Sequence, residues 1–458
     1  MVPSIASMDA SDSGDGGRWT ALQVRLMATV MLINVIDGID YQLLAVSLST
    51  IAREWNEPAE AFRIAMTAGF FGAALSTPIG GWLGDRIGRK RAIILGVLLF
   101  STFTTSMGLC RTIPQLIIAR FISGFGLGIC LPPMLALVVE TARPRQRGTV
   151  VSLTMLSSPL GIALAGLLAP VIIPAYGWRM LFVICGSAAI GIGLIAMAAL
   201  IESPVWLLRS ASNHSRAKAL AQSLGIALSS SRQGDGEASR RSPIRAVFTA
   251  ARPLSLFALF AAMFSIYVTM SIVLSWLPAF LAMRQFPLQL SSTVISAWSV
   301  AGIAGTLLAG LAITLLGMAR GVGYILFGTA LALVLTGAVT TFVDPRVGTG
   351  VTVFFAFVAL SGMGVSATIT ALFAAATEAF PTDARATGVG IISLSGKIGG
   401  IAGAALGSFT LTFTAISSFF WTAGAVALLA WIMFALHLAS RGTPRVSEPS
   451  NLESQRSI

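Results

Sequence analysis

The chain divides into twelve apolar runs, each long enough to cross a bilayer, with only short polar turns between most of them. The runs cover approximately 22–51, 65–83, 92–110, 114–139, 150–174 and 180–201, then 254–281, 292–316, 324–342, 351–376, 387–413 and 417–438. A hydrocarbon core about 30 Å thick takes about 20 residues of helix to span. Lipid offers no water to backbone N–H and C=O groups, so a crossing segment must be a helix or part of a closed barrel. A barrel would show segments of about 10 residues with alternating polarity, which these runs do not. The chain is 55% hydrophobic and 10% charged, against about 25% charged in soluble domains. The expected fold class is therefore an all-α membrane protein with twelve transmembrane helices.

The net charge of +12 would suggest nucleic acid in a soluble protein, but its placement carries more information than its sum. Of the 30 Lys and Arg, six fall in the even-side loops: Arg53, Arg63, Arg111, Arg179, Arg284 and Arg346. Arg120 and Lys397 lie inside runs, and the others crowd the odd-side loops and both tails. The positive-inside rule then puts both termini in the cytoplasm. The basic residues form no stripe with interleaved aromatics, so no nucleic acid is expected. Residues 1–21 are acidic and rich in small residues, without the basic start of a cleaved signal, and read as a disordered cytoplasmic tail. Cys110, Cys130 and Cys185 sit in or at the ends of runs with no CxxC pairing, so neither a metal site nor a disulfide framework is expected.

Residues 203–253 carry eight basic residues and no spanning run, and divide six helices from six. The expected organisation is a bundle over 22–202, a cytoplasmic loop over 203–253, a second bundle over 254–438 and a cytoplasmic tail over 439–458. The halves repeat each other. Gly81, Asp85 and Gly88 follow the second run, and Gly310, Thr314 and Gly317 keep their spacing 229 residues later. Glu140 and Arg147 are likewise matched by Glu378 and Arg385. Transporters built from such repeats bind substrate near the midplane between halves that rock against each other.

Ionisable groups in the runs narrow the function. Asp37 and Asp40 lie three apart within the first run, on one helix face. A central carboxylate costs roughly 2.5–3.5 kcal/mol on insertion, so such residues face a bundle interior or a wet cavity and serve transport. Asp37 lies on the order of 22 Å from the cytoplasmic face, and Arg120 enters the fourth run from outside at a similar level. Lys397 lies near the midplane. Two acids and one base leave room for a proton. Walker loops and Ser-His-Asp chemistry are missing from the sequence, which points away from an enzyme and toward an ion gradient as the energy source.

GGWLGDRIGRKR, residues 80–91, resembles the signature loop of the major facilitator superfamily, whose twelve-helix, two-bundle fold fits the whole chain. Within that superfamily, DGID at Asp37–Asp40 is similar to the first helix of the aromatic acid:proton symporters. RFISGFGLG from Arg120, ESPVWLL from Glu202, SWLPAFL from Ser275 and PTDARATGVG from Pro381 resemble further parts of the same pattern. Pro133 and Lys397 depart from it, standing where Asn and Arg are usual.

The resemblance implies two pseudo-symmetric six-helix bundles, a multi-pass inner-membrane protein and proton-coupled import of a small organic anion, an aromatic carboxylate first, by alternating access. Asp37 and Asp40 are expected to carry the proton, and Arg120, Lys397 and Tyr267 to bind the substrate, with Trp276 and Trp298 flanking Tyr267. Gly81, Asp85, Gly88 and Arg89 are expected to form a latch between the halves, and Glu140, Arg147, Glu378 and Arg385 the accompanying charge networks. No cofactor is expected, and the partners are the substrate, protons and lipid around a monomer. The competing class is a proton-antiporting exporter of drugs or metabolites. Its fifth helix would carry a fuller Gly-Pro-x-x-Gly-Gly pattern than SSPLGIALAG, residues 157–166.

Overall fold

The structure, a computed structural model, describes residues 19–143, 146–208, 213–224, 226, 253–380 and 385–440. Its helices are α1 Ala21–Trp55, α2 Arg63–Ile87, α3 Arg89–Met107, α4 Ile113–Thr141, α5 Arg147–Ala199, α6 Pro204–Leu207, α7 His214–Leu224, α8 Pro253–Met283, α9 Leu288–Leu316, α10 Met318–Phe342, α11 Thr349–Ala379, α12 Arg385–Leu406 and α13 Ile416–Ser440. Among the described residues ten stretches are long and apolar enough to span a membrane. One of them, α5, has 53 residues, which at 1.5 Å each reach about 80 Å and exceed any single crossing. Gly177, at φ 81° and ψ 164°, breaks it into the two spans that the sequence implies. The twelfth is α3, whose opening Arg89, Lys90 and Arg91 lower its mean hydropathy.

Local chemistry sets the helix ends. Thr20 and Gln23 form a reciprocal capping box at the start of α1, and α4 opens with proline in its first turn. Gly88 joins α2 to α3 at φ 106°, and Gly317 joins α9 to α10 at φ 79°. These are backbone conformations that residues with a Cβ rarely adopt, so the two copies of the sequence repeat share a joint as well as a spacing.

The chain divides into two units, Met1–Gly234 with Pro287–Ser296 and Asp235–Phe286 with Ala297–Ile458. In the first, α1 packs on α5, α2 on α4, and α3 on both α4 and α5. The α1/α5 contact is backbone to backbone: a Cβ on Gly38 would strike the Ser158 carbonyl, and one on Gly161 the Val35 carbonyl. Small residues of this kind let membrane helices approach closely, where packing rather than hydrophobicity drives association. At one end of the unit Trp178 Nε1 donates to Glu54 Oε2 at 2.6 Å. Arg179 pairs with the same carboxylate and lies 4.5 Å over the Trp178 ring, tying α1 to the turn at Gly177.

The second unit repeats the plan. Here α8 packs on α12 and α13, and α10 on α11 and α13. Gly399 and Gly403 of α12 lie against the Phe264 and Val268 carbonyls of α8, as Gly161 lies against α1. His437 of α13 is buried with Nδ1 2.9 Å from Ser255 Oγ of α8. Within the stretch read as a loop, α7 is an amphipathic helix with Ala217, Ala221 and Leu224 buried. Gln23 Nε2 donates to the carbonyls of Leu224 and Thr141, both at 3.2 Å, holding the ends of α7 and α4 to the start of α1.

Candidate functional site

Asp40 and Arg120 meet inside the first unit. Arg120 Nη1 donates to Asp40 Oδ2 at 2.8 Å and to the Asp40 carbonyl at 2.9 Å, while Nη2 donates to the Tyr41 carbonyl at 3.2 Å. The other carboxylate oxygen, Oδ1, accepts from Thr104 Oγ1 of α3 and, at 3.3 Å, from Ser123 Oγ of α4. The two side chains are only 7% and 2% exposed, so the pair is out of water and each partner depends on the other. Gly69 makes room for it: a Cβ there would lie 2.9 Å from Arg120 Nε, so the guanidinium crosses α2 over a bare α-carbon. Arg120, expected as a substrate ligand, is thus engaged by Asp40 and two α1 carbonyls. Thr104, Ser123 and Gly69 were not among the expected site residues.

Asp37 differs from Asp40 although only three residues separate them. It is half-buried and hydrogen-bonds the Ser158 side chain of α5, on the side of α1 that Gly38 presses against that helix. Tyr41, one turn further along the same strip, is also half-buried, and its ring meets Phe70 of α2 edge-on at 5.1 Å. The chemistry of the pair is asymmetric. Asp40 has an arginine and two hydroxyls, whereas Asp37 has one hydroxyl and an accessible surface.

A second cluster sits where α2, α3, α4 and α6 end or begin. Arg89 Nη1 donates to Asp85 Oδ1 at 2.6 Å, and Arg89 Nη2 to Glu140 Oε1 at 3.1 Å. Glu140 also accepts from Ser203 Oγ. Glu202 Oε1 takes the backbone N–H of Arg89 at 2.7 Å and of Lys90 at 3.2 Å, in the manner of a carboxylate at a helix N-terminus. Its carboxylate lies against the Gly88 α-carbon. Trp206 Nε1 donates to the Asp85 carbonyl at 2.9 Å. These partners all belong to the first unit, so the turn is knit to its own bundle. Glu140 takes its cation from Arg89, not from Arg147, which stands exposed at the start of α5. Gly81 is only in ordinary contact with Pro132, and the close approach to α4 is made by Gly80 against the Ile129 backbone and Gly84 against Pro133. ESPVWLL, residues 202–208, thus supplies three partners of this turn through Glu202, Ser203 and Trp206.

In the second unit the Tyr267 ring packs on Gly396 of α12, the residue before half-buried Lys397. The structure therefore brings together the neighbourhoods of these two expected residues. Trp276 and Trp298, expected to flank Tyr267, are held in helix contacts. Trp276 is buried and donates to the Ala404 carbonyl at 2.9 Å, and Trp298 is buried against Gly362. Glu378 is exposed at the end of α11, and the side chain of Arg385 lies outside the described residues. Gly310 has open space where a Cβ would stand, and Thr314 donates to the Gly310 carbonyl of its own helix, at 2.8 Å.

Known proteins give this geometry a context. The sequence profile of the Major Facilitator Superfamily matches residues 30–344 and 318–457. The chain is 26% identical over 455 residues to a gallate transporter of Pseudomonas putida, covering 98% of this chain and 99% of the relative. It is 28% identical over 382 residues to a 3-(3-hydroxy-phenyl)propionate transporter of Escherichia coli strain K12, covering 83% and 85%. Among solved structures it is similar to the xylose transporter XylE of E. coli in a partially occluded inward open conformation. The TM-score is 0.71 at 15% identity, over 91% of this chain and 98% of that one. With the profile matched along almost its whole length and the fold shared, the chain belongs to the Major Facilitator Superfamily.

Proposed function

We propose that this protein imports a small aromatic carboxylate across the inner membrane together with protons, by alternating access, with both termini in the cytoplasm. The observation that carries the reading is the pair of unlike carboxylates on α1, one locked to Arg120 and one open. The relatives that transport gallate and 3-(3-hydroxy-phenyl)propionate support the substrate class. Asp37 is the entry point for the proton, since it is the accessible acid. From there it passes to Asp40, whose Oδ1 already meets the Thr104 and Ser123 hydroxyls. A proton on Asp40 releases the planar fork of Arg120, which then takes the substrate carboxylate bidentately. In the second unit Lys397 supplies a further cation, with the Tyr267 ring as an apolar wall.

The test is uptake by proteoliposomes with and without an inward proton gradient. Labelled benzoate-type acids are compared with their uncharged amides, aliphatic dicarboxylates and sugars. Gradient-driven accumulation of the acids, with the amides excluded, is the expected result. Asp37→Asn should abolish uphill accumulation while exchange of labelled acid survives. Equal transport of acid and amide, or efflux driven by the inward gradient, would overturn the reading in favour of another substrate or of an exporter.

A further inference from the structure

We infer that Tyr41 and Phe70 form the surface that recognises the aromatic ring of the substrate, which makes them specificity-determining residues of the first unit. The inference rests on the proposed aromatic-acid transport and names what discriminates the ring. Asp37 is half-buried, and a carboxylate within a span faces a bundle interior or a wet cavity and not lipid, so its strip of α1 is assigned to that cavity. Tyr41 follows at i+4 on that strip and is itself half-buried. Its exposed part therefore borders the same cavity. The Tyr41 hydroxyl oxygen is buried, so what Tyr41 offers to a ligand is the ring.

Phe70 stands at 5.1 Å and 87° to it. An edge-on pair leaves the face of one ring and the edge of the other to meet a third aromatic group, whose preferred contacts are offset-stacked or edge-to-face. Phe70 is also half-buried, and it adjoins Gly69, over which the Arg120 guanidinium passes. The Tyr41 carbonyl accepts from the same guanidinium. Ring surface and carboxylate-binding cation are thus built from consecutive residues, Asp40–Tyr41 on α1 and Gly69–Phe70 on α2. A benzoate-type acid carries its carboxylate one bond from its ring, and so calls for a cation and an aromatic surface supplied by neighbouring residues.

The decisive comparison is benzoate against cyclohexanecarboxylate, which share a carboxylate and a similar size but differ in having a flat π-face. Both are measured with the purified full-length protein in proteoliposomes. Tyr41→Leu and Phe70→Leu should each lower the preference of kcat/KM for benzoate over cyclohexanecarboxylate by about three- to ten-fold. Tyr41→Phe, which keeps the ring, should hold that preference within about two-fold. Thermal stabilisation of each variant by benzoate in detergent gives a second readout, and the Leu variants should lose it selectively over stabilisation by cyclohexanecarboxylate. A preference unchanged in both Leu variants, or an equal loss of both acids, would overturn the inference and leave the pair as packing. If the wild-type protein transported neither acid, the functional reading itself would fall, and this inference with it.

Discussion

At the scale of single residues, the two carboxylates of α1 call for opposite expectations. Asp40→Asn would leave the Arg120 guanidinium buried without its anion, a defect worth about 3–5 kcal/mol. Asp37→Asn keeps a hydrogen-bonding group beside Ser158 at an accessible position and should cost less than about 1 kcal/mol. Thermal unfolding in detergent should therefore rank Asp40→Asn far below wild type and Asp37→Asn close to it, and the reverse order would contradict the assignment of partners. Thr104 and Ser123 show why this cluster was only half legible in the sequence. Hydroxyls in membrane helices commonly donate to a carbonyl one turn back, as Ser101, Thr102 and Thr105 of the same helix do. Nothing local separates Thr104 from them, because only the face turned toward α1 decides its partner. Asp37, Asp40 and Arg120 were legible because charge in an apolar run is costly wherever the helices end up.

At the scale of elements, the turn at Gly88 is a joint between α2, α3, α4 and α6, whose strength lies in Glu140 more than in Asp85. The Asp85 side chain is 53% exposed and that of Glu140 18%, so solvent screens the first pair more than the second. Glu140→Gln should slow transport of every substrate several-fold and Asp85→Asn less, with the order of substrate preference unchanged. A change in conformational balance alters rates through the populated fraction and not through recognition. Initial rates over a panel of acids would check this, and a changed order of preference would refute it. Arg147→Gln should leave the rates within about two-fold of wild type, because its side chain is exposed. Glu140 and Arg147 were expected in one charge network, but only Glu140 pairs with Arg89. The chain leaves the helix between them, so seven residues fix no common face, and Arg89, far off in sequence, fills the position.

At the scale of the whole molecule, the sequence showed the spans, the repeat and the glycine joints, since apolar length and positive-φ turns follow from local physics. The break within α5 at Gly177 falls between the runs 150–174 and 180–201 that the sequence separates, whereas α7 lay hidden in a stretch read as a loop. Sidedness is open to a direct check because Cys110, Cys130 and Cys185 are all buried and give little background. Ser215→Cys on α7 should react with an impermeant maleimide only after cells are permeabilised, and Glu57→Cys, after α1, in intact cells. Labelling in the opposite sense would invert the topology. The Asp40–Arg120 pair also bears on how the protein is made. Its partners lie 80 residues apart, and each alone is costly in lipid. As α1 leaves the ribosome, its carboxylate has no counter-charge until α4 has been synthesised, so Asp40 enters the bilayer unpaired at a cost of roughly 2.5–3.5 kcal/mol. Arg120 offsets that cost only when the later helix arrives, which ties the placement of the first helix to the completion of the fourth.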